Sequence, residues 1–255
     1  TIDPADFFVP NWALITEPVE ELLTPEVFLS NDFRAIAEQN FEFGPGGDVY
    51  SGDWDGDGVD TLAYRVGNEF HFRNKNSAGE PDFTTAYGKV GDQVVVGDWD
   101  GDGTDTLGVR RGNTYHLSND FEGGEAEHVT AFGRADDIVL VGTWDAGARD
   151  TLAVHRGNSF HFADGVTGRT LRQSDYGRVG DQAFAGDFDA DGVDTVAVRR
   201  DNVFHVSNTF AGGPADMTVP FGRWYDMPVI GDWDGDGTDT LGLVRPPAEV
   251  IETLD

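Results

Sequence analysis

The sequence predicts an all-β protein, a five-bladed β-propeller of four-stranded blades. The main observation is an eleven-residue segment, GDWDGDGVDTL from Gly52, with near copies that begin at Gly97, Gly142, Gly186 and Gly231. A pair of an aromatic residue and glycine recurs in step with it: Phe43-Gly44, Tyr87-Gly88, Phe132-Gly133, Tyr176-Gly177 and Phe221-Gly222. Each unit of about 45 residues contains four short β-branched or aromatic runs separated by turn residues. Four strands in a repeat of this length are typical of one propeller blade.

The two ends of the repeat region predict how the ring closes. The last unit ends at residue 246 after two strands, whereas residues 27–33 (VFLSNDF) match residues 115–121 (YHLSNDF) of the second unit. The N-terminal segment is therefore expected to complete the C-terminal blade and tie the ring shut. The predicted domains are an N-terminal arm or linker (1–26) with a short helix at about 18–23, the propeller (27–246) and a C-terminal tail (247–255).

Composition excludes several classes of function. The 255 residues include 47 acidic and 17 basic side chains, and the formal net charge is −30. This balance disfavours nucleic acid and anionic membranes as partners, because both require cationic contacts. No apolar run approaches the roughly 18 residues of a transmembrane helix, so no membrane insertion is expected. The chain has no cysteine, which excludes disulfides, zinc–thiolate sites and a cysteine nucleophile.

The repeated loop has the form D-x-D-x-D-G-x-D, and it predicts a calcium site. Calcium binds roughly six to eight oxygen ligands, and alternating Asp residues on a tight loop can turn several carboxylates inward. Glycine at loop position 6 permits the turn, and position 7 can offer its carbonyl. The predicted side-chain ligands are Asp53, Asp55, Asp57, Asp60, Asp98, Asp100, Asp102, Asp105, Asp187, Asp189, Asp191, Asp194, Asp232, Asp234, Asp236 and Asp239. The predicted carbonyl ligands are Val59, Thr104, Val193 and Thr238.

The third copy of the loop, residues 143–150, is predicted to hold no metal. It has Thr143 and Gly147 in place of the first and third Asp, and Arg149 beside Asp150. About four bound Ca²⁺ ions are therefore expected. The alternative is that the Asp residues only form turns, which Asp and Gly favour. Four loops that each gather several carboxylates would, however, suffer strong repulsion without a cation.

The GDWDGDGxDTL units, with the aromatic-glycine pair before them, resemble FG-GAP/VCBS-type repeats over about residues 27–246. The resemblance implies a calcium-binding propeller like those of integrin α-subunit heads and of some secreted bacterial proteins and lectins. Two features depart from the family pattern, since integrin heads have seven blades and the usual last carboxylate stands at loop position 9. This chain has Asp at position 8 and Thr61, Thr106, Thr195 or Thr240 at position 9. Either position could therefore supply the last calcium ligand.

Three other kinds of residue recur once per unit. The aromatic residues after the first loop position are predicted to pack between blades, with a sugar-stacking platform as the alternative: Trp54, Trp99, Trp144, Phe188 and Trp233. The histidines of the aromatic-His pairs are either satisfied interstrand residues or candidate ligand-binding residues: His71, His116, His161 and His205. Recurrent arginines, such as the pair Arg110 and Arg111, are predicted to be ion-pair or hydrogen-bond partners of the Asp turns.

The sequence favours a non-catalytic binding module. Carboxylates outside the repeat form no recognisable glycosidase pair, and nucleophile-elbow, zinc-protease and phosphate-loop motifs are absent, so no catalytic residue is assigned. Near-identical blades favour repeated weak sites, as in propeller lectins. The first hypothesis is carbohydrate or cell-envelope binding. The alternative is protein–protein adhesion or a scaffold role in a larger secreted protein, ahead of a glycoside hydrolase or lyase. A secreted or cell-surface location is expected, because extracellular calcium can fill sites of modest affinity. The chain is also expected to be a monomer.

Overall fold

A computed structural model describes residues 24–145, 147, 149–165 and 169–247, which form twenty strands. The strands make five separate sheets of four antiparallel strands each. The prediction of a five-bladed β-propeller is thereby confirmed. The helix expected at 18–23, together with most of the predicted N-terminal arm and C-terminal tail, lies outside the described residues.

The strands are numbered along the chain, and each blade is given from its innermost strand outwards. The chain begins with β1 (Glu26–Leu29) and β2 (Gln39–Glu42). Blade 1 consists of β3 (Val49–Gly52), β4 (Thr61–Val66), β5 (Glu69–Phe72) and β6 (Phe83–Ala86). Blade 2 consists of β7 (Gln93–Gly97), β8 (Thr106–Arg111), β9 (Thr114–Leu117) and β10 (His128–Ala131). Blade 3 consists of β11 (Ile138–Gly142), β12 (Thr151–Arg156), β13 (Ser159–Ala163) and β14 (Thr170–Asp175). Blade 4 consists of β15 (Gln182–Gly186), β16 (Thr195–Arg200), β17 (Val203–Ser207) and β18 (Met217–Pro220). The closing blade consists of β19 (Met227–Gly231), β20 (Thr240–Arg245), β1 and β2.

The first strand of every blade lies at the centre of the ring. β3 contacts β7 and β19, β11 contacts β7 and β15, and β15 contacts β19, so these five strands form a closed inner ring. In the closing blade, β20 pairs with β1 so that Val27 lies opposite Val244, and β1 pairs in turn with β2. The C-terminal blade therefore takes its two outer strands from the N-terminal segment, as the sequence predicts.

The hydrophobic core lies between neighbouring blades. The second strand of a blade is covered on both faces, and in β8 the first five residues are all buried. One core cluster joins Trp54 and Phe72 of blade 1 to Leu107 and Val109 of blade 2. The aromatic residues of the acidic loops are all 1–2% exposed: Trp54, Trp99, Trp144, Phe188 and Trp233. The prediction that they pack between blades is confirmed.

The glycine just before each acidic loop is required by the close approach of the next blade. An added Cβ atom at Gly97 would lie 2.7 Å from Cγ1 of Val141 and 2.8 Å from Oδ2 of Asp150, both in blade 3. At Gly231 the same atom would lie 2.6 Å from Oδ2 of Asp60 in blade 1. These distances are shorter than van der Waals contact, so a side chain here would push two blades apart. The repeat therefore needs glycine at this position for packing.

The antiparallel strand order places the connections on two opposite faces of the ring. The acidic loops join the first strand of a blade to its second, and they share the loop face with the connections between third and fourth strands. The hairpin face carries the hairpins between second and third strands and the turns that lead from one blade to the next. The length of a strand thus separates the acidic loops from the hairpin face.

Candidate metal centres

Four acidic loops on the loop face each bring three carboxylates together. In each of them, oxygen atoms from loop positions 1, 3 and 5 lie within 4.8 Å of one another. The four triads are Asp53, Asp55 and Asp57; Asp98, Asp100 and Asp102; Asp187, Asp189 and Asp191; and Asp232, Asp234 and Asp236. The first Asp of each triad is half-buried, and the other two are exposed. The structure thus gathers three of the four aspartates predicted as ligands in every intact loop.

The first aspartate of a triad organises its loop. Oδ1 of Asp53 accepts hydrogen bonds from the backbone N–H groups of Gly56 (2.8 Å) and Asp57 (3.1 Å). Its Oδ2 accepts a third bond from the N–H of Gly58 (2.8 Å). Gly56 and Gly58 have φ angles of +72° and +84°, which glycine adopts without strain. The corresponding loops of blade 2 and the closing blade have the same three bonds. This tight folding brings positions 3 and 5 back towards position 1.

In the triads of blades 1 and 4, neighbouring carboxylates raise the pKa of an aspartate. Partial burial raises the pKa of Asp189, and the negative charges of Asp191 and Asp187 raise it further. Burial is also the main cause that raises the pKa of Asp53, where the charge of Asp57 acts in the same direction against three backbone hydrogen bonds. Each triad therefore concentrates negative charge that a cation would offset. Its donors are carboxylate oxygens, which suit hard cations such as calcium.

The fourth aspartate of each loop does not join the triad but reaches the preceding blade. Oδ2 of Asp105 accepts a hydrogen bond from the N–H of Asp53 (3.0 Å), and the N–H of Asp105 donates to the carbonyl of Asp53 (2.8 Å). The same two bonds link Asp60 to Asp232, Asp150 to Asp98, Asp194 to Thr143 and Asp239 to Asp187. We call Asp60, Asp105, Asp150, Asp194 and Asp239 the clamp aspartates. They connect all five blades in the same way.

The third copy of the loop, which we call the damaged loop, shows in its sequence that the clamp aspartate differs from the triad aspartates. Residues 143–150 have lost Asp at loop positions 1 and 5 but retain Asp150 at position 8. Thr143 now holds the first position: its N–H donates to Oδ2 of Asp194 (2.6 Å), and its hydroxyl donates to Oδ1 of Asp150 (2.9 Å). No acidic triad is found in the described part of this loop. An aspartate kept where the metal positions are lost indicates a structural role, which distinguishes position 8 from positions 1, 3 and 5.

Loop positions 7 and 9 also have defined contacts. The N–H of Val59 donates to Oδ1 of Asp57 (3.0 Å), and Thr104, Val193 and Thr238 donate to their own loops in the same way. Calcium binding by the carbonyls of these four residues stays a prediction. At position 9, the buried hydroxyl of Thr106 donates to the carbonyl of Ser118 (2.7 Å). The hydroxyl at position 9 of this loop is therefore bonded to the residue that follows the third strand of its own blade.

The clamp aspartates form a ring in the central channel. All five line a cavity of about 400 Å³ enclosed by the inner strands. Burial is the main cause that raises the pKa of each clamp carboxyl, and neighbouring aspartates raise it further. The pKa rises to about 6 for Asp150 and to about 7 for Asp239. Two of the five clamp carboxyls, Asp150 and Asp239, therefore have pKa values close to neutral pH.

Stability in the presence of chelator is expected to fall as pH rises from about 4 to about 7. A clamp carboxyl has a higher pKa when folded than the value of about 3.9 for an unfolded chain, so the folded state binds more protons within this window. Thermal melts should therefore give a higher Tm at about pH 5 than at about pH 7.5. Asp194→Asn, which retains an acceptor for Thr143, should reduce that difference. An unchanged pH dependence in this variant would contradict the assignment.

The four candidate histidines do not meet at a common site. His71, His116, His161 and His205 are half-buried on β5, β9, β13 and β17, the third strands of four different blades. His71 stacks on Tyr64 with ring centroids 4.6 Å apart, and its Nε2 lies 3.2 Å from Oε1 of Glu69. Such contacts satisfy the ring within one blade. A ligand-binding role repeated around the propeller stays a prediction.

The recurrent arginines bind turns of the hairpin face. Nε and Nη2 of Arg111 donate to the two oxygens of Asp92 at 2.8 and 2.5 Å. The same pairing joins Arg156 to Asp137, Arg200 to Asp181 and Arg245 to Asp226. Buried Arg110 instead crosses to the next blade, where it donates to the carbonyls of Asp137 (2.7 Å) and Arg134. The recurrent arginines do pair with Asp residues in turns, but these turns lie on the hairpin face, so the prediction that their partners are the Asp residues of the acidic loops is wrong.

The fold and these loops define a five-bladed β-propeller with repeated candidate cation sites. No protein-family model and no curated protein matches the chain. It is similar to a chain of the Photorhabdus luminescens Tc holotoxin pore, with TM-score 0.47 and 14% identity over 87% of this chain and 12% of that one. It is also similar to a chain from the structure of BBS1N in complex with ARL6DN, with TM-score 0.40 and 11% identity over 81% of this chain and 65% of that one. The chain thus spans less than two thirds of either, and these similarities carry no argument about function.

The described residues contain no helix that is long and apolar enough to cross a membrane.

Proposed function

We propose that this chain is a calcium-stabilised, non-catalytic propeller that binds saccharides of cell surfaces or cell envelopes. The observation that carries the proposal is the recurrence of one oxygen-donor triad in four loops at the same turn of the ring. A glycosidase needs two carboxylates in unlike environments. Identical triads in equivalent loops instead suit an ion that has the same structural role in each blade.

Calcium fits the triads better than other common divalent cations. Carboxylate oxygens favour hard cations over zinc or copper, which prefer nitrogen and sulfur donors. Magnesium demands nearly octahedral geometry and retains its water, whereas calcium accepts a larger and more flexible shell of carboxylates, carbonyls and water. Such sites fill at the calcium concentrations found outside cells. This supports the proposed secreted or cell-surface location.

A cation in a triad would order the contact between blades as well as its own loop. The backbone of Asp53, the first triad residue of blade 1, is hydrogen-bonded in both directions to the clamp residue Asp105 of blade 2. The side chain of Asp53 meanwhile holds the loop that carries Asp55 and Asp57. Calcium bound by the three carboxylates therefore restrains the residue on which the next blade is clamped. We accordingly propose that calcium stabilises the ring rather than single blades.

Saccharide binding is proposed for surfaces that the metal loops leave free. Similar blades present similar surfaces, so several weak sites can combine through avidity. The resemblance to FG-GAP/VCBS-type repeats, which occur in propeller lectins, supports the same class of ligand. The alternative is that the partner is a cell-surface protein, and the glycan array described below distinguishes this from saccharide binding.

A glycan array with millimolar calcium tests the proposal. The labelled chain is expected to bind one group of related glycans, and the same glycans in solution should compete. Failure to bind any glycan at high protein concentration would refute saccharide binding and leave protein adhesion as the better hypothesis. Turnover of a bound polysaccharide that is lost on changing a carboxylate outside the loops, for example Glu69→Gln, would refute the non-catalytic role.

A further inference from the structure

Two departures from the repeat lie side by side on the hairpin face. The turn that leads into the inner strand reads Lys89-Val90-Gly91 before blade 2, Arg134-Ala135-Asp136 before blade 3 and Arg178-Val179-Gly180 before blade 4. Before the closing blade it reads Arg223-Trp224-Tyr225. The same fold is therefore built elsewhere in the ring without an aromatic residue at this turn. Trp224 and Tyr225 are not required by the architecture.

The neighbouring hairpin of blade 4 carries the second departure. The hairpins of blades 1, 2 and 3 place Gly67, Gly112 and Gly157 in the left-handed region, with φ between +64° and +70°. Blade 4 places Asp201 there instead, with φ of +55°. A residue with a side chain is less stable than glycine in this conformation, although Asp tolerates it better than most. A strained, non-repeat carboxylate beside a non-repeat aromatic pair is the kind of exception found at functional sites.

These residues line one cavity that is open to solvent. It has a volume of about 490 Å³ and is lined by Asp201, Asn202, Gly222, Arg223, Trp224 and Tyr225. The Trp224 side chain is 62% exposed, whereas the other tryptophans of the described residues are 1–2% exposed. Asp201 lines this cavity, and none of the described residues forms a hydrogen bond with its carboxylate, which interacts electrostatically with Arg199.

Contacts among the lining residues hold the aromatic pair in place. The ring of Tyr225 lies edge-on to Trp224, with centroids 5.5 Å apart and an interplanar angle of 83°. Arg223 donates a hydrogen bond to the Tyr225 hydroxyl, and its guanidinium carbon lies 5.7 Å from the centroid of that ring. Nδ2 of Asn202 donates to the carbonyl of Gly222 (3.1 Å), which ties the hairpin to the turn. The indole is therefore an exposed surface on an ordered support.

We propose that this cavity is a saccharide subsite in which the apolar face of a neutral sugar ring stacks on Trp224. The proposal rests on the proposed function and adds to it one site that occurs once in the ring. A sugar ring has an apolar C–H face and a rim of hydroxyl groups, which match an exposed indole beside polar groups. The Asp201 carboxylate would accept hydrogen bonds from two hydroxyls, since it is an acceptor only. The net charge of −30 makes a neutral sugar a better ligand than an acidic one.

The repeat itself supplies variants that preserve folding. The double variant Trp224→Val with Tyr225→Gly gives the closing-blade turn the sequence that the chain already has at residues 178–180. Asp201→Gly restores the residue of the other three hairpins. Val179→Ala is the matched control, because Val179 is 74% exposed at the corresponding turn of blade 4.

Binding is measured with neutral oligosaccharides of glucose, galactose, mannose and N-acetylglucosamine in millimolar calcium. The wild type is expected to bind at least one of them with a change in tryptophan fluorescence, since Trp224 is the exposed indole of the described residues. The double variant should weaken binding about tenfold or more, and Asp201→Gly should weaken it about tenfold. The control should bind as the wild type does. Melting curves in calcium should show that all variants remain folded.

The outcomes separate this inference from the proposed function. If the wild type binds a sugar and the double variant binds it equally well, the subsite at Trp224 is refuted while saccharide binding stands. If the wild type binds none of the oligosaccharides or arrayed glycans, saccharide binding fails and the subsite fails with it. The calcium-stabilisation proposal is unaffected by either result, because its test is a melt without sugar.

Discussion

Calcium is expected to raise the melting temperature of this chain more than any single substitution changes it. Binding to the native state stabilises by about 2.7 kcal/mol per site when free ligand is about 100 times the Kd. Four equivalent triads would together contribute on the order of 10 kcal/mol. A domain of this size shifts by roughly 2–4 °C per kcal/mol, so a difference on the order of 20 °C or more between chelator and excess calcium is expected.

Calorimetric melts in chelator, in millimolar calcium and in millimolar magnesium provide the measurement. Calcium should stabilise the chain far more than magnesium does, because magnesium demands nearly octahedral geometry and retains its water, whereas calcium accepts a varied shell of carboxylates, carbonyls and water. Identical melting temperatures in chelator and in calcium would remove the structural-ion proposal. The role of the triad aspartates would then be to form the turns of the acidic loops.

A single-site variant measures the number of ions. Asp55 is exposed at loop position 3, and no described residue forms a hydrogen bond with its carboxylate, so Asp55→Asn changes a ligand without breaking the loop. Titration calorimetry should show one site fewer than in the wild type, three instead of four. Asp145→Asn is the control, with the same charge change at position 3 of the damaged loop. Five equal sites in the wild type, or an unchanged number in Asp55→Asn, would contradict the assignment.

Asp226→Asn is expected to lower the free energy of unfolding by about 3 kcal/mol. The Asp226 side chain is 0% exposed and accepts hydrogen bonds from Nε (2.9 Å) and Nη2 (2.8 Å) of Arg245. It also accepts one from the N–H of Arg223 (2.8 Å), and its own carbonyl accepts one from Arg199 of blade 4 (2.8 Å). Removal of one partner from a buried pair leaves the other charge uncompensated. Because this turn joins blade 4 to the closing blade, its loss should weaken ring closure.

Urea unfolding at fixed calcium concentration provides the measurement for this variant. Asp136→Asn is the matched control, since Asp136 is exposed in the corresponding turn before blade 3 and its change removes the same charge. The control should alter the free energy of unfolding by less than about 0.5 kcal/mol. Equal losses in the two variants would show that net charge, rather than the buried pair with Arg245, is responsible.

Features contained within one repeat unit were predictable from the sequence. The number of blades follows from the recurrence of one segment, and the triads follow from Asp at positions 1, 3 and 5 of a loop that glycine lets turn tightly. Ring closure was predictable because residues 27–33 repeat part of a unit that the C-terminal end lacks. Each of these inferences needs only the local chain and its repetition.

The role of the fourth aspartate depends on a residue in another blade. Asp105 lies three residues after Asp102 in the sequence, yet its carboxylate meets the backbone of Asp53, 52 residues away. No local rule distinguishes it from a ligand, and only its retention as Asp150 in the damaged loop indicated a separate role. Likewise, Asp201 and Trp224 are visible in the sequence as departures from the repeat, but their place in one cavity depends on the packing of a hairpin against a turn.

The sequence by itself determined the propeller, its five blades, its closure by the N-terminal strands and the four candidate cation loops. These properties depend on periodicity and on contacts between residues near one another in the chain. The tertiary structure decided which aspartates meet, which arginines are buried, and that five carboxyls line the channel with raised pKa values. Those properties depend on the distance between blades and on burial, because a carboxylate one blade away changes both the hydrogen bonds and the desolvation of its partner.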